Sequence, residues 1–266
     1  MRNQSSQWLI PLVLAAGAAV ALWYYWSQIN EPVTESPVEL PVAIEPAEGP
    51  GPLHPVEPVS EATGRRPDLV PLPPLAESDE YLKIEIVDIF GESIEDLLAE
   101  SGMIERIVAT IDSLPRSHVA ERIRPIGRLD SQFLVDGLDT SGMDRISPDN
   151  YRRYDVLVGL VAAADQQQIA DLYRRYYPLF QKAYVELGYP DGYFNDRLVE
   201  VIDHLLETPS VPDPVAVIRP HVLYEYEDAR LEALSSGQKL LLRMGNEHAT
   251  TVKNALRSLR EHVTAM

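Results

Sequence analysis

Apolar residues are distributed along this chain in three regimes. From Trp8 to Trp26 they run unbroken, WLIPLVLAAGAAVALWYYW, without one charge. From Glu31 to Leu75 they have no periodicity at all, and from Ala76 onward they return at the three-to-four-residue spacing of amphipathic helices. These regimes predict four segments: an N-terminus over 1–7, a membrane-spanning helix over 8–26, a proline-rich acidic linker over 27–75, and a globular domain over 76–266.

The first regime has the length of a bilayer crossing, since nineteen helical residues rise about 28 Å. All three tryptophans sit at its ends with Tyr24 and Tyr25 beside them, as expected of rings at the headgroup level. Arg2 marks the preceding flank as basic, while the following flank is acidic from Glu31 and has no Lys or Arg before Arg65. The positive-inside bias then puts the N-terminus in the cytoplasm and the rest across the membrane. The competing reading is a signal peptide cleaved within residues 1–21, after Ala16-Gly17-Ala18 or Ala19-Val20-Ala21.

The second regime holds over half of the chain's prolines and few aromatics, a composition that favours extended polyproline II and cannot form a core. Fully drawn out, it would reach roughly 140 Å at about 3.1 Å per residue.

The third regime reads as mainly α. Ser78 precedes DEYLKIEIVDIF, Ser93 precedes IEDLLAES, and MIERIVATIDSLP stops before Pro115. Ser147-Pro148 opens YRRYDVLVGLVAAAD as one helix, and a long helix follows through IADLYRRYYPLFQKAYVELG, kinked at Pro178 and ended by Gly188. VAVI and VLYEY flank Pro220 as a small β-hairpin, FLVDG adds a strand, and a last helical stretch from Ser236 to Val263 is interrupted near Gly245.

Composition narrows the chemistry. A formal charge of −18 argues against nucleic acid as a partner, and the absence of cysteine excludes disulfides, thiolate metal sites and cysteine nucleophiles. There is no HExxH, EF-hand loop, phosphate loop or nucleophile elbow, so no cofactor is expected.

Three clusters remain. On the helix YFNDRLVEVIDHLL, Asp196, Glu200, Asp203 and Glu207 form one acidic stripe opposite Phe194, Leu198, Val201, Ile202 and Leu205, with Asn195 as its cap and His204 at its margin beside Arg197. The stripe reads either as a solvated face or as catalytic carboxylates, with Asp196, Glu200 or Asp203 as acid or base; with His204 it also has the makings of a cation site. At the C-terminus Lys253, Arg257 and Arg260 recur on one helix face, which reads either as intramolecular ion pairing or as a docking stripe for an acidic envelope protein or anionic envelope polymer. Lys239 and Arg243 would extend it if the helix ran through Gly245, and His248 falls on the apolar arc. Tyr173, Tyr176, Tyr177, Phe180 and Tyr184, with Tyr189, Tyr193 and Phe194, are either a core face or a stacking platform for sugar rings.

The strings IVATIDSLPR, NYRRYDVLVGLV, LYRRYYPLFQKAYVELGYP, YFNDRLVEVIDHLLETP and GQKLLLRMGNEHATTVKNALRSLR together resemble the Gram-negative bacterial family known as domain of unknown function 3014, over roughly 72–262. That resemblance implies a membrane-tethered envelope protein and brings no catalytic residue with it. Two functional expectations follow. The first is a non-enzymatic, single-pass inner-membrane protein whose periplasmic helical domain binds an envelope partner. The second is a hydrolase or lyase of peptidoglycan or a related glycan that uses the carboxylates of 193–207.

Overall fold

A computed structural model describes residues 51–57, 71–127, 132–137 and 144–265. The expected membrane helix over 8–26 lies outside the described residues, among which no helix is long and apolar enough to cross a membrane.

The domain is mainly helical. Asp79–Phe90 forms α1 and Met103–Ser113 α2, joined by a 3-10 turn over Glu92–Leu97 where Ser93 was expected to cap a helix. Asp79 couples the two helices: its carboxylate accepts from the Gly102 and Met103 N–H groups at 2.7 Å each, satisfying donors that the start of α2 leaves without intrahelical partners. The stretch expected as one helix after Ser147 is two, α3 over Pro148–Arg152 and α4 over Asp155–Ala163. Ser147 caps the first by accepting from Asp149 N–H, and the chain then turns at Arg153 and Tyr154 so that Tyr154 and Val158 are both buried.

Helix α5 spans Gln166–Glu186 and continues through Pro178, because buried Tyr173 and Tyr176 before the proline and Leu179, Phe180, Ala183 and Tyr184 after it hold both halves on the core. Helix α6 is Phe194–Leu206, α7 is Ala229–Glu232, α8 is Ser236–Met244 and α9 is Asn246–Thr264. Helices α8 and α9 are separate elements, as the interruption at Gly245 predicted, so Lys239 and Arg243 do not join the face of Lys253 and Arg260.

In place of a lone hairpin, a four-stranded antiparallel sheet lies between the helices in the order β1 (Val135–Asp136), β2 (Asp144–Ile146), β3 (Ala216–Ile218), β4 (Glu225–Tyr226). The expected hairpin is β3 with β4, and the FLVDG strand is β1; β2 is the strand that local pattern did not announce. It pairs Asp144 with Val217 and Arg145 with Ala216, joining two segments some seventy residues apart. Ile146, Val217, Tyr226 and Leu242 form a small core beneath the sheet.

The main core is made by α1, α2, α5 and α6 around Leu82, Ile104, Tyr176, Phe194 and Ile202, with α9 laid across α4, α5 and α6. Leu75 is already buried in it and Leu72 packs against it, so the domain begins a few residues before Ala76. Residues 51–57, which composition assigns to the linker, lie against the start of α6.

Candidate functional site

Helix α6 carries the acidic stripe and anchors the site. Its apolar face, Phe194, Leu198, Val201, Ile202 and Leu205, is buried as the helical spacing predicts. Its N-terminus is capped from another helix: Gln181 of α5 accepts from Phe194 N–H at 2.8 Å and donates to Gly192 C=O at 2.7 Å. Asn195, expected as that cap, is instead fully buried one residue into the helix.

The stripe is divided among separate partners. Asp196 accepts from two successive backbone N–H groups, Leu53 at 2.9 Å and His54 at 2.8 Å. Beside it Asn195 donates to His54 C=O and Val263 C=O, both at 2.9 Å, and accepts from the Tyr173 hydroxyl at 3.1 Å. Glu200 is largely exposed and pairs with Arg197 at 2.8 Å. Asp203 receives Arg260 through two bonds, 2.5 and 2.9 Å. Glu207 is exposed. His204 contacts the Ser235 hydroxyl at 2.9 Å, and Gln238 of α8 donates to its carbonyl, so this histidine ties α6 to the capping box of α8. Among the described residues no three acidic or histidine side chains converge as metal ligands.

The basic stripe is divided in the same way. Arg260 is committed to Asp203, whose hydrogen bonds and charge hold the guanidinium above its usual range. Lys253 donates to Thr208 C=O at 2.5 Å, one of the carbonyls just past α6, and burial with the nearby Arg257 charge pulls its ammonium below the ordinary lysine range. Arg257 is exposed and reaches its neighbour Asn254 at 2.8 Å. His248 contacts Met244 C=O and Asp155, both at 3.1 Å.

Most of the aromatic cluster is a core face, with Tyr177, Tyr189 and Tyr193 half-buried at its edge. Tyr173, Tyr176, Phe180, Tyr184 and Phe194 are all buried, and Phe180 stacks on Phe194 with ring centroids 5.7 Å apart. The hydroxyls are spent inside the protein, Tyr173 on Asn195 and Tyr176 on Glu85, and burial raises the pKa of both phenols, with Glu85 adding to the shift at Tyr176.

Sequence reasoning missed one ionic centre. Asp112, at the C-terminal end of α2, is buried and accepts from Arg197 Nε at 3.0 Å, Arg116 at 2.5 Å and the Tyr189 hydroxyl at 3.2 Å. Burial opposes the charge on Arg197, but Glu200 and Asp112 more than offset it and hold the guanidinium above its usual range. The local signal was slight: Asp112 has Arg116 four residues on, an ordinary helix pair.

An apolar cavity lies elsewhere. A groove of about 200 Å³ opens between α1, α2 and α4, lined among others by Phe90, Ile94, Met103, Ile107, Leu157 and Leu160, and every residue of its wall is apolar. Its floor is closed by a bridge of Leu98 with Ile126, flanked by bonds from Ala99 N–H to Pro125 C=O and from Gly127 N–H to Leu97 C=O, both 2.8 Å.

The family described as Protein of unknown function (DUF3014) matches residues 103–260, well over half of the chain. The chain belongs to the DUF3014 family. The match opens at the first residue of α2 and closes at Arg260, so it contains Asp112, Asn195, Asp196 and the Asp203–Arg260 pair, while α1 and residues 51–57 lie before it. No curated protein and no solved structure matches this DUF3014 chain.

Proposed function

We propose that this DUF3014 protein is a single-pass inner-membrane protein whose helical domain, held in the periplasm on a proline-rich tether, binds an envelope protein through the apolar groove between α1, α2 and α4. The anchor reading rests on the uncharged run Trp8–Trp26 with its aromatic ends and on the basic-before, acidic-after flanks.

The observation that carries the binding reading is the groove itself: about 200 Å³ of wholly apolar wall with no ionisable group to do chemistry. A concave apolar wall of this size is costly to leave in water and suits large apolar side chains. The charge around it is mixed: α1 and the turn after it carry exposed Glu80, Asp88, Glu92, Glu95 and Asp96, while Arg106 of α2 and exposed Arg122 and Arg124 stand beside the wall residues Ile107, Pro125 and Ile126. The fitting ligand is therefore set by the wall itself, an apolar segment of an envelope protein.

The glycan-hydrolase reading gains nothing comparable. Asp196 is spent on main-chain N–H groups, Glu200 on Arg197 and Asp203 on Arg260, and of the tyrosines that would stack a sugar Tyr173, Tyr176 and Tyr184 are core.

Photo-crosslinking from Leu157 in living cells tests the binding reading. One envelope protein should be captured, through an apolar segment that mass spectrometry can map, and Val161→Asp, at a wall residue outside the core clusters, should abolish the adduct while leaving the fold intact. Adducts to lipid alone, or none, would overturn it. Protease access to the domain in spheroplasts but not in intact cells checks the topology separately.

A further inference from the structure

Three polar groups of Asn195 and Asp196 converge on one dipeptide of the segment before the domain. The Asp196 carboxylate takes the consecutive N–H groups of Leu53 and His54, one on each oxygen, and the Asn195 amide gives a hydrogen to His54 C=O. This is how main chain is read: two donors met by a carboxylate and one acceptor met by an amide. The Leu53 side chain is 80% exposed, so the contact does not depend on what that residue is.

The site is built in advance of its occupant. Asn195 has no exposed surface, and its other two bonds, from the Tyr173 hydroxyl and to Val263 C=O, fix its amide between α5 and the C-terminal turn of α9. Asp196 stands in the first turn of α6, where the helix dipole favours a negative charge. The occupant is prepared as well: Pro52 and Pro55 bracket the dipeptide, which bends at Leu53 and His54, and the fixed φ of each proline narrows the freedom that the free segment has to give up.

We infer that Asn195 and Asp196 form a main-chain clamp whose ligand is the chain's own segment 51–57, making that segment a strap that sets where the tether leaves the domain. Where the anchor proposed above holds, the consequence is a change of reach. With the strap clamped, a tether counted from 27 to 50 would reach at most about 75 Å, and one counted to Pro71 at most about 140 Å, at about 3.1 Å per residue. The clamp joins the strap by three hydrogen bonds while the fold closes its own core, so strap release is a local opening and not unfolding.

Hydrogen exchange on the full-length protein reads the clamp directly. The amides of Leu53 and His54 should exchange at least about tenfold more slowly in the wild type than in Asp196→Ala, with helix amides of α5 and α9 unchanged. A second pair of variants separates main chain from side chain: Leu53→Ala should keep the protection of His54, whereas Leu53→Pro, which removes an N–H, should lose it. Spin labels at Glu57 and Glu261 should give one narrow distance in the wild type and a broad distribution in Asp196→Ala. Unprotected amides at 53 and 54 in the wild type, or a broad wild-type distance, would overturn the clamp. Neither readout depends on the membrane, so a chain that fractionates without membranes would remove the reach argument and leave the clamp standing.

Discussion

Asp203 of α6 and Arg260 of α9 meet side by side, Nε to Oδ1 at 2.5 Å and the terminal guanidinium nitrogen to Oδ2 at 2.9 Å. The pair unites one residue from each of the two charged stripes, so the acidic face of α6 and the basic face of α9 are in part each other's partners. Their side chains are 46% and 38% exposed, and half-exposed pairs contribute little, about 0.5–1 kcal/mol even when bidentate. Asp203→Asn and Arg260→Met should each lower unfolding free energy by about that much in urea titration, and the exchanged pair Asp203→Arg with Arg260→Asp should recover most of it. A double-mutant coupling of zero would mean that the contact is not formed in solution. Because Lys253 and Arg260 serve the fold, Arg257 is the residue of this stripe whose substitution probes docking without touching an α6–α9 contact.

Asp112 makes a larger prediction from a similar chemistry. Its side chain is 5% exposed and it faces Arg197, itself 18% exposed, so removing the carboxylate leaves a mostly desolvated guanidinium with Glu200 and the main-chain carbonyl of residue 112 as its partners. Asp112→Ala should cost about 3–5 kcal/mol, and Tyr189→Phe, which deletes one hydroxyl donor to the same carboxylate, about 1 kcal/mol. Chemical denaturation of the two variants checks the ratio. Equal losses would mean that the ion pair adds nothing beyond one neutral hydrogen bond.

Glu232 gives the acid side of the stability profile a defined contribution. It accepts from the Lys239 ammonium and from Tyr226 N–H at 2.9 Å, and although burial pushes its pKa upward, those donors win and hold it below its ordinary value of 4.5. A carboxylate whose folded pKa is depressed binds fewer protons folded than unfolded. Its stabilisation is therefore complete above the unfolded value and is lost as pH falls through the folded one. The stability difference between wild type and Glu232→Gln should be constant from neutrality to about pH 5 and shrink at lower pH. A difference that stays flat from pH 6 to pH 3 would refute the assignment.

What could be read from the sequence divides by distance along the chain. Helix α1 begins at Asp79 and ends at Phe90, and α2 at Met103 and Ser113, as the spacing indicates, because the 3.6-residue period is local; the expected cap at Ser78 is not made, its hydroxyl donating to Leu75 C=O at 2.7 Å instead. The buried face of α6 was legible for the same reason. The partners of its other face were not, since Arg260 is fifty-seven residues from Asp203 and Arg197 eighty-five from Asp112. Strand β2 escaped notice because Asp-Arg-Ile is too short to alternate, and β3 gives it a place in the sheet. The segment 51–57 has the composition of a linker, and nothing in it announces that Asn195 and Asp196 wait for its main chain. The groove was invisible for a third reason: its residues come from α1, α2, α4 and the 125–126 bridge, and a concavity has no local sequence signature.

Gly245 shows a local signal and a tertiary one at the same residue. Its φ of 81° and ψ of 162° lie where essentially only glycine rests, and this backbone turn separates α8 from α9. The side chain it lacks would have no room, since a Cβ there would meet the Tyr151 ring at 3.0–3.1 Å. Tyr151 cannot easily give way: its hydroxyl donates to Asp213, and the other oxygen of that carboxylate accepts from Asn246 N–H at 2.8 Å, closing the start of α9. Straightening the junction into one continuous helix would break this arrangement and swing α9 off α6, so the helix-favouring substitution should not fuse the helices. Gly245→Ala is expected to cost about 1–3 kcal/mol from backbone strain, with crowding against the ring added to it. Thermal unfolding with a hydrogen-exchange map of α9 checks this. A variant as stable as wild type, with α9 still protected, would show that the junction tolerates a side chain and that the glycine is not what separates the two helices.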